Sequence, residues 1–178
     1  MESSKKRLFV GIAISQKLQQ EIIKWRYGYM ELLPIRWTKC ENLHITLIPP
    51  WQDYPNRVIS KLQSLKSIIP FKVNFSDITT GPKLKRPRLI WASGKDDPSI
   101  LKLKSSLEKV LEQRKREENF FMHITLAKIF LPRKCPFEIK ELQEKINWEE
   151  IIDTVTLYES HLLKNGSQYD ILYQKKIK

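Results

Sequence analysis

The sequence predicts an α+β fold built from two similar halves, and three observations carry that reading. Apolar runs of strand length alternate with stretches of helical period along the chain. Gly81 and Pro82 break the alternation near its middle, and a basic loop from Lys83 to Arg88 follows. The same short motifs then recur on the far side, offset by roughly eighty residues.

Residues 8–14 form an apolar run behind Lys5, Lys6 and Arg7, within a strand that spans 7–14. The run is short for a signal sequence and lacks a convincing cleavage site, so it reads as a first buried strand. Ser15 then caps a helical pattern carrying Leu18, Ile22, Ile23 and Trp25, because its hydroxyl can accept from an unpaired amide of the first turn. Residues 43–48 read as a second strand, stopped by Pro49 and Pro50, which cannot donate to a ladder. Residues 56–69 place Val58, Ile59, Leu62, Leu65, Ile68 and Ile69 on one helical face, and Pro70 precedes a strand over 71–78. The pattern then restarts with a strand over 88–94. A helix over about 99–117 carries Leu101, Leu103, Leu107, Val110 and Leu111, and a strand over 121–129 follows it. A shorter helix over about 138–146 and strands over 154–160 and 169–174 complete the chain.

Arg7-Leu8-Phe9-Val10 matches Arg88-Leu89-Ile90-Trp91, Leu43-His44-Ile45-Thr46-Leu47 matches Met122-His123-Ile124-Thr125-Leu126, and residues 71–78 correspond to about 154–160. A duplicated β-α-β-α-β unit predicts a bilobal arrangement: two mainly antiparallel sheets, each packed on its own helices, flanking a central cleft with the helices outside. One domain over residues 1–178, with pseudo-symmetric halves of about 1–80 and 86–178, and a monomeric state are the expectations.

Lys and Arg outnumber Asp and Glu 32 to 20, a formal net charge of +12. Such an excess concentrates polyanions at the surface, which makes nucleic acid the leading partner class. Cys40 and Cys135 show no spacing for zinc or a redox pair, so a reducing compartment fits, and no stretch approaches the roughly 20 apolar residues of a membrane span. A cytoplasmic protein without membrane contact is expected.

The repeated motif carries the chemistry. Residues i and i+2 of a strand share a face, so His44 points with Thr46, and His123 with Thr125, while Ile45, Leu47, Ile124 and Leu126 point into the core. A given His is followed by Ile-Thr-Leu by chance roughly once in several thousand times. Here two of three histidines are; His161 has no such sequel and reads as a surface residue or as one that supports the site from behind its reacting groups. Two imidazoles and two hydroxyls meeting in one cleft suit phosphoryl transfer on a cyclic ester. One neutral imidazole takes a proton from water, a protonated one gives a proton to the departing ribose oxygen, and the hydroxyls donate to phosphate oxygens. No His-Glu-x-x-His motif, carboxylate cluster or nucleotide-binding glycine loop accompanies them, so neither metal nor cofactor is expected.

At these residues the chain resembles the 2H phosphoesterase superfamily, in its branch of RNA 2′,3′-cyclic phosphodiesterases, also called 2′-5′ RNA ligases. The resemblance also rests on Arg7-Leu8-Phe9-Val10-Gly11-Ile12, Glu41-Asn42-Leu43, Pro87-Arg88-Leu89-Ile90-Trp91 and Leu157-Tyr158-Glu159-Ser160. It implies a bilobal α+β fold, a metal-free cleft with His44 and His123 catalytic and Thr46 and Thr125 on the phosphate, and hydrolysis of 2′,3′-cyclic phosphate ends to 2′-phosphates. Reversible 2′-5′ ligation accompanies this in some members. The chain departs from the family pattern at Pro49-Pro50-Trp51, at Met122 in place of a frequent Pro, and at Lys128 in place of a common Arg.

Lys128, Arg88, Phe121 and Trp51 are the further substrate-binding candidates, the cations for phosphate and the rings for base stacking or core packing. The loop from Lys83 to Arg88 reads equally as an RNA grip or a solvated turn, and Trp25, Trp37, Trp91 and Trp148 read as core or lobe-interface residues. RNA ends or small nucleotides are the expected ligands. The alternatives are a phosphodiesterase for 2′-5′-linked or small cyclic nucleotides, and an RNA- or nucleotide-binding module without turnover.

Overall fold

Lys6–Ala13 forms β1 because five consecutive residues, Leu8 to Ile12, are buried on both faces, as in the middle of a sheet. In the computed structural model, which describes residues 4–29, 35–83, 87–95, 97–113, 120–130, 142–163 and 166–177, β1 lies between two antiparallel neighbours. Helix α1, Gln16–Arg26, follows, and the Ser15 hydroxyl accepts from the Leu18 amide as the sequence predicts. Then come β2 (Ile35–Trp37), β3 (His44–Asp53), α2 (Pro55–Gln63) and β4 (Phe71–Gly81). The remaining described elements are β5 (Leu89–Ser93), α3 (Pro98–Val110), β6 (His123–Ile129), β7 (Gln143–Ile152), β8 (Thr154–Leu163) and β9 (Gly166–Lys176). All described pairings are antiparallel.

The strands run β7-β4-β5-β6-β3-β1-β8-β9, with β2 added beside β6. This is two four-stranded halves meeting where β3 touches β6, through the single register pair Ile45–Ile124. The fold is the α+β, two-part antiparallel arrangement predicted, with an exchange that sequence order hides. β4 pairs with β5 and β7, and β8 pairs with β1 and β9, so the third strand of each sequence half completes the other half's sheet. Two of the helices cross over as well: α1 packs against β7 and α3 against β3. The expectation that each sheet packs on its own helices is therefore corrected.

Several predicted bounds shift. β3 does not stop at Pro49 and Pro50 but runs to Asp53, still paired with β1. Beyond Ile45 it has no described ladder partner on its other side and its register to β1 slips twice, which leaves room for residues that lack an amide proton. Helix α2 ends at Gln63, short of the predicted 69. The helix predicted over 138–146 is overturned where it is described: 143–146 belong to β7, whose alternating burial of Trp148, Glu150 and Ile152 is a strand pattern. Residues 138–141 of that prediction, 114–117 of the preceding helix, and Lys85 and Arg86 of the basic loop lie outside the described residues.

One irregularity decides what faces the cleft. Thr125 pairs with Trp91 but Ala127 pairs with Ile90, so Leu126 is an extra residue, a bulge in β6. Leu126 and Ala127 both turn to the core, fully buried, and the alternation restarts with Lys128 on the same face as His123 and Thr125. β3 has the same device: Thr46 pairs with Gly11 and Ile48 with Val10, leaving Leu47 extra. The apolar side of the seam, Ile45, Leu47, Ile124 and Leu126, is at most 1% exposed, which stabilises the fold by roughly 1.5–3 kcal/mol per side chain.

Candidate active site

The antiparallel register through Ile45 and Ile124 sets His44 across from Thr125 and Thr46 across from His123, all on the face opposite the two isoleucines. His44, Thr46 and Thr125 line a cleft of about 370 Å³ with Arg36, Trp37, Lys128 and Tyr169 among its other walls. Among the described residues no Asp or Glu lines it, and none form a group of three His, Cys, Asp or Glu side chains able to share a metal.

The two histidines are held in the same way. His44 Nδ1 lies 2.7 Å from the Asn42 carbonyl, and His123 Nδ1 lies 2.8 Å from the Phe121 carbonyl. A carbonyl only accepts, so each Nδ1 carries the proton and each Nε2 is left with its lone pair away from the strand backbone. His44 Nε2 is 3.0 Å from Thr46 Oγ1, which donates to it when the ring is neutral. Burial pushes both imidazoles below the ordinary histidine value, opposed in each by the carbonyl contact, and the neighbouring His123 lowers His44 further.

Aromatic rings fix each imidazole from behind. His44 sits 4.9 Å from Phe9 and 5.2 Å, edge to face, from Tyr169. Phe9 stacks in turn on Tyr158, whose hydroxyl is pushed up to about 12 by burial and stays a phenol near neutrality. A side chain at Gly11 would collide with the Ile45 carbonyl at 2.6 Å, so a glycine permits the close approach of β1 behind His44. His123 stacks on Phe121 at 5.3 Å and lies 5.2 Å from Trp91, whose indole donates to Thr79 and covers Gly81.

Of the further candidates, Lys128 lines the cleft, and Phe121 is 45% exposed against His123 rather than in the core. Trp51 does not join them: it packs against the hydrophobic core with its indole toward Asp53. Arg88 is exposed at the start of β5, outside the cleft lining, with its backbone tied to Gly81 and Ile129. His161 pairs with Asp170 on the surface, and Cys40 is a free thiol. Sequence reasoning missed Trp91 as a neighbour of His123, and Tyr169 and Arg36 as cleft walls. The alignment of Trp91 with Val10, beside Phe9, was the available signal for the first; nothing local marked the other two.

The family model for LigT-like phosphoesterases matches residues 12–91, which hold His44 and Thr46. Over that stretch the chain is similar to the LigT-like phosphoesterases. An RNA 2′,3′-cyclic phosphodiesterase of Archaeoglobus fulgidus is 24% identical over 148 residues, 80% of this chain and 82% of that protein. One of Aquifex aeolicus is 22% identical over 177 residues, 93% and 94% of the two chains. The crystal structure of E. coli LigT in apo form has the same fold, with a TM-score of 0.77 at 21% identity over 98% of both chains. No helix among the described residues is long and apolar enough to cross a membrane.

Proposed function

We propose that the chain, as one phosphoesterase domain over residues 1–178, hydrolyses RNA 2′,3′-cyclic phosphate ends to 2′-phosphates without a metal, by acid-base catalysis from His44 and His123. The observation that carries this is the matched tethering of both Nδ1 atoms, which leaves two Nε2 atoms available over one seam with a threonine beside each. One Nε2 takes a proton from the attacking water as the new P–O bond forms. The other, protonated, gives its proton to O3′ as the P–O3′ bond breaks, so the phosphate stays on O2′ and the pair regains its proton count. Thr46 and Thr125 donate to the non-bridging oxygens, and Lys128 adds a positive charge to the cleft.

Burial keeps both imidazoles neutral near pH 7 in the free protein, and the bound phosphate anion restores the proton affinity that one of them needs. The same steps with an RNA 5′-hydroxyl in place of water yield a 2′-5′ linkage, so reversible ligation belongs to the proposal. The names of the curated relatives support the substrate class, and the charge of +12 supports an RNA partner. A monomer acting in the cytoplasm completes the reading. The test is to incubate the protein in excess chelator with a short RNA ending in 2′,3′-cyclic phosphate and identify the product end. A 2′-phosphate is expected; a need for added metal, or no turnover, overturns the proposal.

A further inference from the structure

Arg36 stands on β2, a three-residue strand, directly across from Lys128 on β6. Two cations at opposed positions of an antiparallel pair repel each other unless an anion lies between them. Among the described residues neither has an ion pair, and no carboxylate lines the cleft that both of them line. The Arg36 guanidinium is nonetheless held: it lies over the Phe130 ring at 4.1 Å, and its Nη1 approaches Gly166, where a side chain would come within 3.1 Å. A planar donor fork is thus pre-positioned in the cleft wall without an acceptor among the described residues.

Its place along the strand gives it a partner. Across the Leu126 bulge Thr125 pairs with Trp91 and Lys128 with Leu89, two residues apart on β5, so the two side chains stand about 7 Å apart along the strand at roughly 3.3 Å per residue. That is the scale of one sugar-phosphate step away from the phosphate that the threonines hold. Resting on the function proposed above, we infer that Arg36, with Lys128 opposite, binds a second phosphate of the substrate, the phosphodiester linkage adjoining the cyclic end. The site then selects the end of an RNA strand over a free cyclic mononucleotide, which lacks that group. Arg36 supplies the bidentate geometry that Lys128 cannot.

The test uses the full chain and two labelled oligoribonucleotides ending in 2′-phosphate, one natural and one with a neutral methylphosphonate at the last linkage. The wild-type protein should bind the natural one on the order of 10-fold to 100-fold more tightly. Arg36→Gln, which keeps a planar head on Phe130, should lose that preference while binding the methylphosphonate RNA as the wild type does. Equal loss on both RNAs, or an undiminished preference, overturns the inference. Because binding is read rather than turnover, a catalytically silent protein that still shows the Arg36-dependent preference would sink the proposed activity and leave the subsite standing. As a second measure, Arg36→Gln should raise KM about 10-fold or more for a cyclic-ended oligonucleotide, with kcat and the KM for a cyclic mononucleotide unchanged; equal changes in both KM values overturn it.

Discussion

Ile45 and Ile124 face each other across the seam of the sheet, each fully buried, and are the one described register pair joining its two halves. Each stands between a histidine and a threonine of its own strand, so their packing sets the relative position of all four polar groups. Ile45→Val should cost about 0.5–1.5 kcal/mol of stability, and Ile45→Ala about 2–5 kcal/mol. Both should lower kcat more than they raise KM, as measured by denaturant titration beside steady-state kinetics. A stability loss with unchanged kcat would mean that the seam does not align the site.

Replacing His44 or His123 by Ala should each reduce hydrolysis of a cyclic phosphate end on the order of 10²-fold to 10⁴-fold, the range for a positioned acid or base. The double mutant should lose little beyond the worse single mutant, because both act in one proton relay. Near-normal turnover by His123→Ala would remove that residue from the mechanism.

Thr46→Val removes at once the hydroxyl assigned to the substrate phosphate and the side-chain hydrogen-bond partner of His44 Nε2. It should therefore cost more in kcat than Thr125→Val, for which no contact to a histidine nitrogen is described. The opposite order, measured at saturating substrate, would argue against a Thr46 role in holding His44.

Both imidazoles are depressed by burial, so the required imidazolium is scarce near neutrality in the free protein. kcat/KM should accordingly follow a bell centred on the acid side of neutral, its limbs belonging to the coupled pair. The falling limb of kcat should lie at higher pH, since bound phosphate raises the proton affinity. Coincident alkaline limbs would show that the bound anion does not act on the pair.

The same depression links pH to stability. The unfolded chain binds these two protons at the ordinary histidine value and the folded chain only at lower pH. Stability from this source is fully present above that ordinary value, and is lost as pH falls below it toward the lower folded values. His44→Gln should flatten this part of the curve in melts across that window; an unchanged slope would mean that burial does not disfavour the charged ring.

The site's polar core was legible in the sequence because strand geometry alone puts i and i+2 on one face, and the repeat named both pairs. The bulges were legible only as spacing: Thr125 and Lys128 differ by an odd number, which a regular strand would send to opposite faces. β7 was misread because Leu142 and Ile146 stand four residues apart, an interval that fits one face of a helix, while the pairing with β4 that decides the matter is long-range. β2 is too short for any period, and so Arg36 went unseen. Trp51 looked like a base platform from its place after the motif, but strand β3 carries it seven residues away along an axis that leads out of the cleft.

The crossing of β4 and β8 into each other's sheets has a consequence for how the chain holds together. A cut in the loop between β4 and β5 yields two pieces, and each lacks the strand that shields the flank of its own central strand, β1 or β5. Neither piece carries a finished layer, so the halves depend on one another as two hands with laced fingers do. The interlock matches what two copies of a single ancestral unit would form by trading their third strands across a twofold axis. In such a pair each histidine motif would come from a separate molecule; one continuous chain fixes their stoichiometry and leaves the two copies free to differ, as Pro49 and Lys128 do at matching positions.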